Sequence, residues 1–331
     1  MLKFTSIVVT LLLTLVTCAA ACNTDMDCSL NGKCSAGACV CSKGWHGVEC
    51  ELLSLAPAPP GGAYGFSPNI SSWGAHVVRV KSDDLFHMYV SELWGGCGIS
   101  ESWRQNSHVI HATAQTALGP YVYEDTSLPP EATCNHVLVV ENGTRIVQYH
   151  QGRSGGGKGR LVKCDNTTMP NETWAPVQQH KIHESFSPAG PWTVGKGTMP
   201  AGIICNNPAP LLLKNGSVAM FCHGPGIRLA LAPSYDAPFG SATFISQEGS
   251  YPIPHTVWED PFGYLDSEGN WHLLAHVYPT NTSNWMQYAE IVAGHAFSRD
   301  GVEWRFHPTP PWTADVTNVD GSKRHYGLRD S

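Results

Sequence analysis

From Phe66 onward the chain repeats one pattern of apolar and polar positions: a short apolar strand, a tight polar turn, a second apolar strand. The arms and turns are 76–80, Asp83-Asp84 and 85–90; 136–140, Asn142-Gly143 and 144–150; 210–213, Asn215-Gly216 and 217–223; and 262–265, Glu268-Gly269 and 270–276. Asn-Gly between apolar runs is a strong hairpin signal, because both turn residues must accept positive φ. A fifth turn stands at Asp320-Gly321. After each hairpin another apolar strand runs to a turn and an aromatic: 109–114 to Tyr121, 227–231 to Phe239, 291–297 to Trp304, and, less regularly, 161–163 to Trp174. Four strands per unit and roughly fifty residues per unit are the marks of propeller blades. The pattern predicts an all-β, five-bladed β-propeller over residues 66–331. Its fifth blade is incomplete unless residues 52–70 contribute strands. Residues 180–198 form an inserted loop in this reading.

The N-terminal part follows another logic. Lys3, an apolar run over 7–16 and three alanines at 19–21 predict a signal peptide over residues 1–21. The run is too short to span a bilayer as a helix. Six cysteines then fall between Cys22 and Cys50, with 5, 5, 4, 1 and 8 residues between neighbours. So short a segment cannot bury a sufficient core and needs covalent staples. By count alone six cysteines allow fifteen pairings. Residues 52–65, rich in proline and ending in glycines, predict an extended linker.

Composition narrows the function classes. The chain has 331 residues, only 14% of them charged, with net charge −7 and no basic run. That argues against nucleic-acid partners and a polybasic membrane surface. Six N-glycosylation sequons begin at Asn69, Asn142, Asn166, Asn171, Asn215 and Asn281 and agree with export. The expected location is secreted, extracellular or cell-surface, with no membrane span after signal removal.

Two resemblances follow from motifs. The stretch from Cys39 to Cys50, in which Cys41, Trp45 and Gly47 keep a C-x-C-x5-G-x2-C pattern, resembles the EGF-like family in its short, tenascin-type form over residues 22–51. The resemblance implies disulfides Cys22–Cys34, Cys28–Cys39 and Cys41–Cys50. It implies no calcium site, because Ala19 to Ala21 stand where calcium-binding modules carry acids and amides. Asp25 and Asp27 are expected to be solvated loop residues. The larger part resembles five-bladed propeller glycosidases such as glycoside hydrolase family 43, through Asn206-Asn207-Pro208, Glu259-Asp260-Pro261-Phe262 and residues 295–304. That resemblance implies a ring of carboxylates at one mouth of the channel. Counting back from each turn aligns Glu259-Asp260-Pro261 with Asn206-Asn207-Pro208, Thr133-Cys134-Asn135 and Gly74-Ala75-His76. Only unit four has acids there, so Glu259 and Asp260 are the candidate acid and base.

The same counting suggests a second ring. Seven residues after the turn stand Ser91, His150, His223 and His276. Equal offsets predict that the three imidazoles meet at one axis, where they contact sugar hydroxyls, transfer protons or hold a metal; capping of strand ends is the structural alternative. No metal site is assigned firmly. Asn207 and Glu92 complete the candidate binding residues. Trp94, Trp103 and Trp285 are able to stack on sugar faces, although packing between blades is the commoner use, and Trp271 and Trp304 are assigned to packing. Of five further cysteines, Cys205–Cys222 is the best pair, Cys97–Cys134 a weaker one, and Cys164 has no partner. The expected partner is an extracellular glycan or glycoprotein, bound or hydrolysed. The alternative is a non-catalytic adhesion or recognition protein.

Overall fold

The computed structural model describes residues 22–58, 63–64, 70–93, 98–99, 103, 106–128, 132–152, 181–203, 205–224, 226–247, 256–279 and 292–325. The chain divides into two compact units, Met1–Glu51 and Leu52–Ser331. The signal-peptide expectation lies outside the described residues.

The small unit is a disulfide-stapled hairpin. β1 (Gly32–Ser35) and β2 (Ala38–Cys41) pair antiparallel through Ala36-Gly37, both with positive φ; β3 (Trp45–His46) follows. Three disulfides join Cys22 to Cys34, Cys28 to Cys39 and Cys41 to Cys50. Asp25 and Asp27 are not idle loop residues. The Asp27 carboxylate accepts the Asn23 and Thr24 N–H groups, and Asp25 binds Lys33 and the Cys34 N–H. These short polar stretches compete well for backbone donors, which explains why acids sit there.

The large unit opens with β4 (Leu52–Leu53). Four four-stranded antiparallel meanders follow. Blade one is β5 (Ser71–Arg79), β6 (Phe86–Leu93), β7 (Ser107–Ala114) and β8 (Val122–Leu128). Blade two is β9 (Thr133–Val140), β10 (Arg145–Gln151), β11 (Lys181–Ser185) and β12 (Thr193–Val194). Blade three is β13 (Asn206–Leu212), β14 (Val218–Gly224), β15 (Gly226–Ala232) and β16 (Thr243–Gln247). Blade four is β17 (Thr256–Leu265), β18 (Trp271–Pro279), β19 (Ala293–Ser298) and β20 (Arg305–Phe306). A two-stranded sheet, β21 (Asp315–Thr317) and β22 (Lys323–His325), stands after them.

Where five blades were expected, the described residues form four full blades, followed by this two-stranded hairpin. Nor is the described first part of the expected 52–65 linker, residues 52–58, free of partners. The Leu53 N–H donates to the Pro311 carbonyl, and Ala58 bridges Asn318 in parallel, donating to Thr317 and accepting from Val319. Proline-rich extended backbone suits this role, since an edge strand loses little when an N–H is missing. Part of the inserted loop, too, is regular: 181–185 and 193–194 are β11 and β12 of blade two.

The core lies in slabs between blades. Tyr89, Val109, Val137 and Ile146 pack between blades one and two; Tyr149, Ile182, Met220 and Cys222 between two and three; Phe221, Leu229, Trp258 and Leu273 between three and four. Tyr89, Tyr149 and Phe221 hold the same register position on successive second strands, opposite His76, His136 and Ala209. Each is fully buried, and each such side chain contributes about 1.5–3 kcal/mol by leaving water. Nearer the axis, His76, His136 and Phe262 cluster, with the imidazoles 4.7 Å apart.

Two blades also carry buried histidine pairs at one register. His87 Nδ1 meets His111 Nε2 at 2.8 Å in blade one, and His272 Nδ1 meets His295 Nε2 at 3.1 Å in blade four. Each bond needs a neutral acceptor nitrogen. Burial lowers the pKa of His111, His272, His295 and His136, and takes His76 down to about 4.

Two predictions follow from this packing. Folded-state pKa values below the unfolded value of about 6.5 mean that the unfolded chain binds protons first. Stability is then full above about pH 6.5 and falls as the pH drops toward 4; denaturant midpoints at pH 7.5 and 5 should show the loss. Second, a Cβ on Gly294 would meet the Trp258 ring at 2.3 Å. Gly294→Ala should cost about 1–3 kcal/mol in a chemical unfolding titration, as overpacking does.

Candidate functional site

The site is built by a fault repeated in the innermost strands. Each loses register once, between Trp73 and His76, Thr133 and His136, Asn206 and Ala209, and Glu259 and Phe262. At each fault one residue takes positive φ: Gly74 at 61°, Cys134 at 49°, Asn207 at 49° and Asp260 at 50°. Glycine accepts this conformation freely, asparagine and aspartate tolerate it, and cysteine does so rarely. A bulge turns consecutive side chains toward the same side instead of alternating them.

Registers correct the turn-based alignment. In blade one the equivalent triplet is Trp73-Gly74-Ala75, one residue earlier than the turn count gives. Opposite Trp73, Thr133, Asn206 and Glu259 stand Ser91, Gln151, His223 and His276. Blade two thus contributes Gln151, not His150. Its hairpin arms are one residue pair longer, running from Thr133 to Val140 where blade three runs from Asn206 to Leu212. A slip of one residue sends a strand side chain to the other face. His150 accordingly is buried against His183 of its own blade, Nε2 to Nδ1 at 3.0 Å. The three-histidine ring, and a metal bound by it, is not formed. Glu92 slips likewise: next to Ser91, it faces away. It accepts a hydrogen bond from Tyr64 and lies 3.8 Å from His108, and burial raises its pKa.

Blades one to three each send a polar side chain from this layer to the bulge of the next blade. Ser91 Oγ accepts the Cys134 N–H at 3.2 Å. Gln151 Nε2 donates to Asn206 Oδ1 at 3.1 Å. The Asn207 amide donates to the Asp260 carboxylate. In blade four, His276 Nδ1 lies 3.7 Å from both Glu259 Oε1 and Asp260 Oδ2. Sequence reasoning named Asn207, Glu259, Asp260, His223 and His276; the structure brings all but His223 into one polar group, while His223, half-buried, holds the equivalent position one blade earlier.

Two residues were missed. Gln151 is visible only through the register. Trp73 stands at the position of Glu259 in blade one and meets Trp103 edge-on at 6.4 Å; its signal was the shared place ahead of the bulge. Trp271 and Trp304 pack beside Phe221, as expected.

Cys205 and Cys222 are bonded across blade three. Cys134 is a free, buried thiol, so the weaker Cys97–Cys134 pairing is not made. The bulge geometry aims the Cys134 backbone at Ser91 and leaves its sulfur near Thr133. Burial raises its pKa strongly, and the negative charges of Asp260 and Glu259 add to this. Asn142 and Asn215 sit on exposed hairpin turns. Asn69, Asn166, Asn171, Asn281, Trp94, Trp285, Cys97 and Cys164 lie outside the described residues.

Comparisons with known proteins agree with this architecture. Residues 24–52 match the family model of the teneurin-like EGF domain. No curated protein matches the chain. Among solved structures, an endo-arabinase from Bacteroides thetaiotaomicron is similar with TM-score 0.52 and 12% identity, over 81% of this chain and 91% of that one. An exo-β-1,3-galactanase from Phanerochaete chrysosporium in complex with β-1,3-galactotriose gives 0.52 and 12%, over 75% and 52%. One attributed to Bifidobacterium bifidum gives 0.50 and 13%, over 79% of each chain. At these identities the likeness shows the fold, a glycosidase-type propeller.

A low-reactivity thiol is the testable consequence here. Peptide mapping after maleimide treatment should find Cys134 unlabelled in the native protein and labelled in denaturant. Rapid native labelling would contradict its burial beside two carboxylates.

Proposed function

We propose that this is an extracellular glycan-recognition protein, with the saccharide seated at the propeller mouth. The observation that carries the reading is the Asn207–Asp260 contact. It joins blades three and four and holds an amide, two carboxylates and an imidazole in one group. Carboxylates and amides bond pairs of sugar hydroxyls, and the indole of Trp73 supplies a flat apolar surface for a pyranose face. The negative site favours neutral sugars over sulfated or uronic ones. The fold neighbours include proteins named for arabinan and β-1,3-galactan, which makes neutral arabinose- and galactose-bearing chains the first ligands to try.

The geometry supports binding better than hydrolysis. Inverting hydrolysis needs two carboxyl groups about 6.5–9.5 Å apart, with water between base and sugar. Glu259 and Asp260 are consecutive, and their nearest oxygens lie within 4.8 Å of one another. At the matching positions blade one offers Trp73 and Gly74, blade two Thr133 and Cys134, and blade three Asn206 and Asn207. Among these described positions there is no carboxylate to face the pair across the channel.

The test is a glycan array followed by calorimetry on neutral galactans and arabinans. Asp260→Asn and Trp73→Ala should each weaken binding about tenfold or more, with unfolding midpoints near the parent's. Release of a defined sugar product, abolished by Glu259→Gln, would make the protein a hydrolase instead.

A further inference from the structure

We infer that Glu259, Asp260 and His276 bind one divalent transition-metal ion, with zinc as the best fit. One ligand atom from each lies within 4.8 Å of the other two. His276 Nδ1 is 3.7 Å from Glu259 Oε1 and equally far from Asp260 Oδ2. That is too long for a hydrogen bond. It is close to the edge of a coordination tetrahedron: ligands held about 2.0–2.2 Å from zinc stand about 3.4 Å from one another. The spacing is thus that of groups arranged around a shared centre.

The backbone explains how one strand and its neighbour supply all three. Consecutive strand residues normally point to opposite faces. Asp260 has a φ of 50° at the bulge, which turns its carboxylate to the side of Glu259, and His276 stands directly opposite Glu259 in the ladder.

A second, independent feature lies in the same layer of the mouth. Gln151 holds the register position of His276 in blade two and is 4% exposed. Its Nε2 is bonded to Asn206, beside the Asn207 that contacts Asp260, while its Oε1 has no hydrogen-bond partner among the described residues. A buried acceptor left unpaired is costly. An ion at the mouth, carrying water in its open coordination position, brings a donor to this layer.

The donor set selects the ion. Calcium and magnesium take oxygen ligands almost exclusively, whereas an imidazole with carboxylates suits zinc and, second to it, manganese. Three protein ligands leave the fourth zinc position open. The small unit does not compete: Cys22, Cys28 and Cys39, which also lie close together, are all in disulfides.

The experiment uses the full secreted chain under non-reducing conditions, stripped with chelator and free of saccharide, so its outcome is independent of the glycan reading. Zinc is titrated by calorimetry and cobalt by visible absorption. One equivalent of zinc should bind at micromolar or better affinity, with cobalt giving a ligand-field band. Asp260→Asn and His276→Gln should weaken zinc binding at least tenfold. Asp260 is substantially exposed and replaces the Gly74 of blade one, so its variant should fold; thermal unfolding in chelator checks both. Substoichiometric zinc binding by the folded parent, unchanged affinity in the two folded variants, or tighter binding of calcium than zinc would each overturn the assignment.

Discussion

The structure depends on one backbone constraint: a single residue of positive φ in the innermost strand of each blade. Below it, the strand alternates as a sheet requires, and its side chains join the slabs that hold blades together. Above it, alternation is broken and neighbouring side chains turn to one side. The cost is of order 1 kcal/mol wherever the residue is not glycine. Blade one avoids it with Gly74; blades two, three and four accept it with Cys134, Asn207 and Asp260. Strain of this kind persists where the surroundings over-determine it. Here they do, through bonds from Ser91 to the Cys134 bulge and from Asn207 to Asp260.

Much of the fold was legible because hairpin turns advertise themselves. Asn142-Gly143 and Asn215-Gly216 fall in the turns the pattern predicts, and the apolar arms around them became inner strands. The EGF-type cysteine spacing was equally plain. What the pattern could not give was the length of each arm. Blade two carries one extra residue pair, and that pair alone moved His150 from the predicted axis to a buried partnership with His183. Hydrophobic alternation looks the same in both registers, since His150 and Gln151 are both polar. The pairing of Ala58 was hidden for another reason: proline-rich sequence reads as linker, and the partner, Asn318, is distant in the chain.

The site shows why equal offsets from a turn are a weaker guide than equal positions in a ladder. Counting from bulges and ladder partners gathers Trp73, Thr133, Asn206 and Glu259 as one layer and Ser91, Gln151, His223 and His276 as the next. Within this frame the chemistry is asymmetric. Blade one supplies an indole, blade two an amide and a thiol held protonated, blade three amides, and blade four both charges. A repeated scaffold has been given different side chains at the same points.

The bridge between Ala58 and Asn318 has a bearing on how the chain is made. These residues are 260 positions apart, and the contact cannot form until the ribosome has released the later one. Through that interval Ala58 lacks this backbone partner. Contacts of such long sequence separation are slow to form and leave nascent chains prone to association. Folding helpers would therefore meet this chain chiefly before that contact has formed.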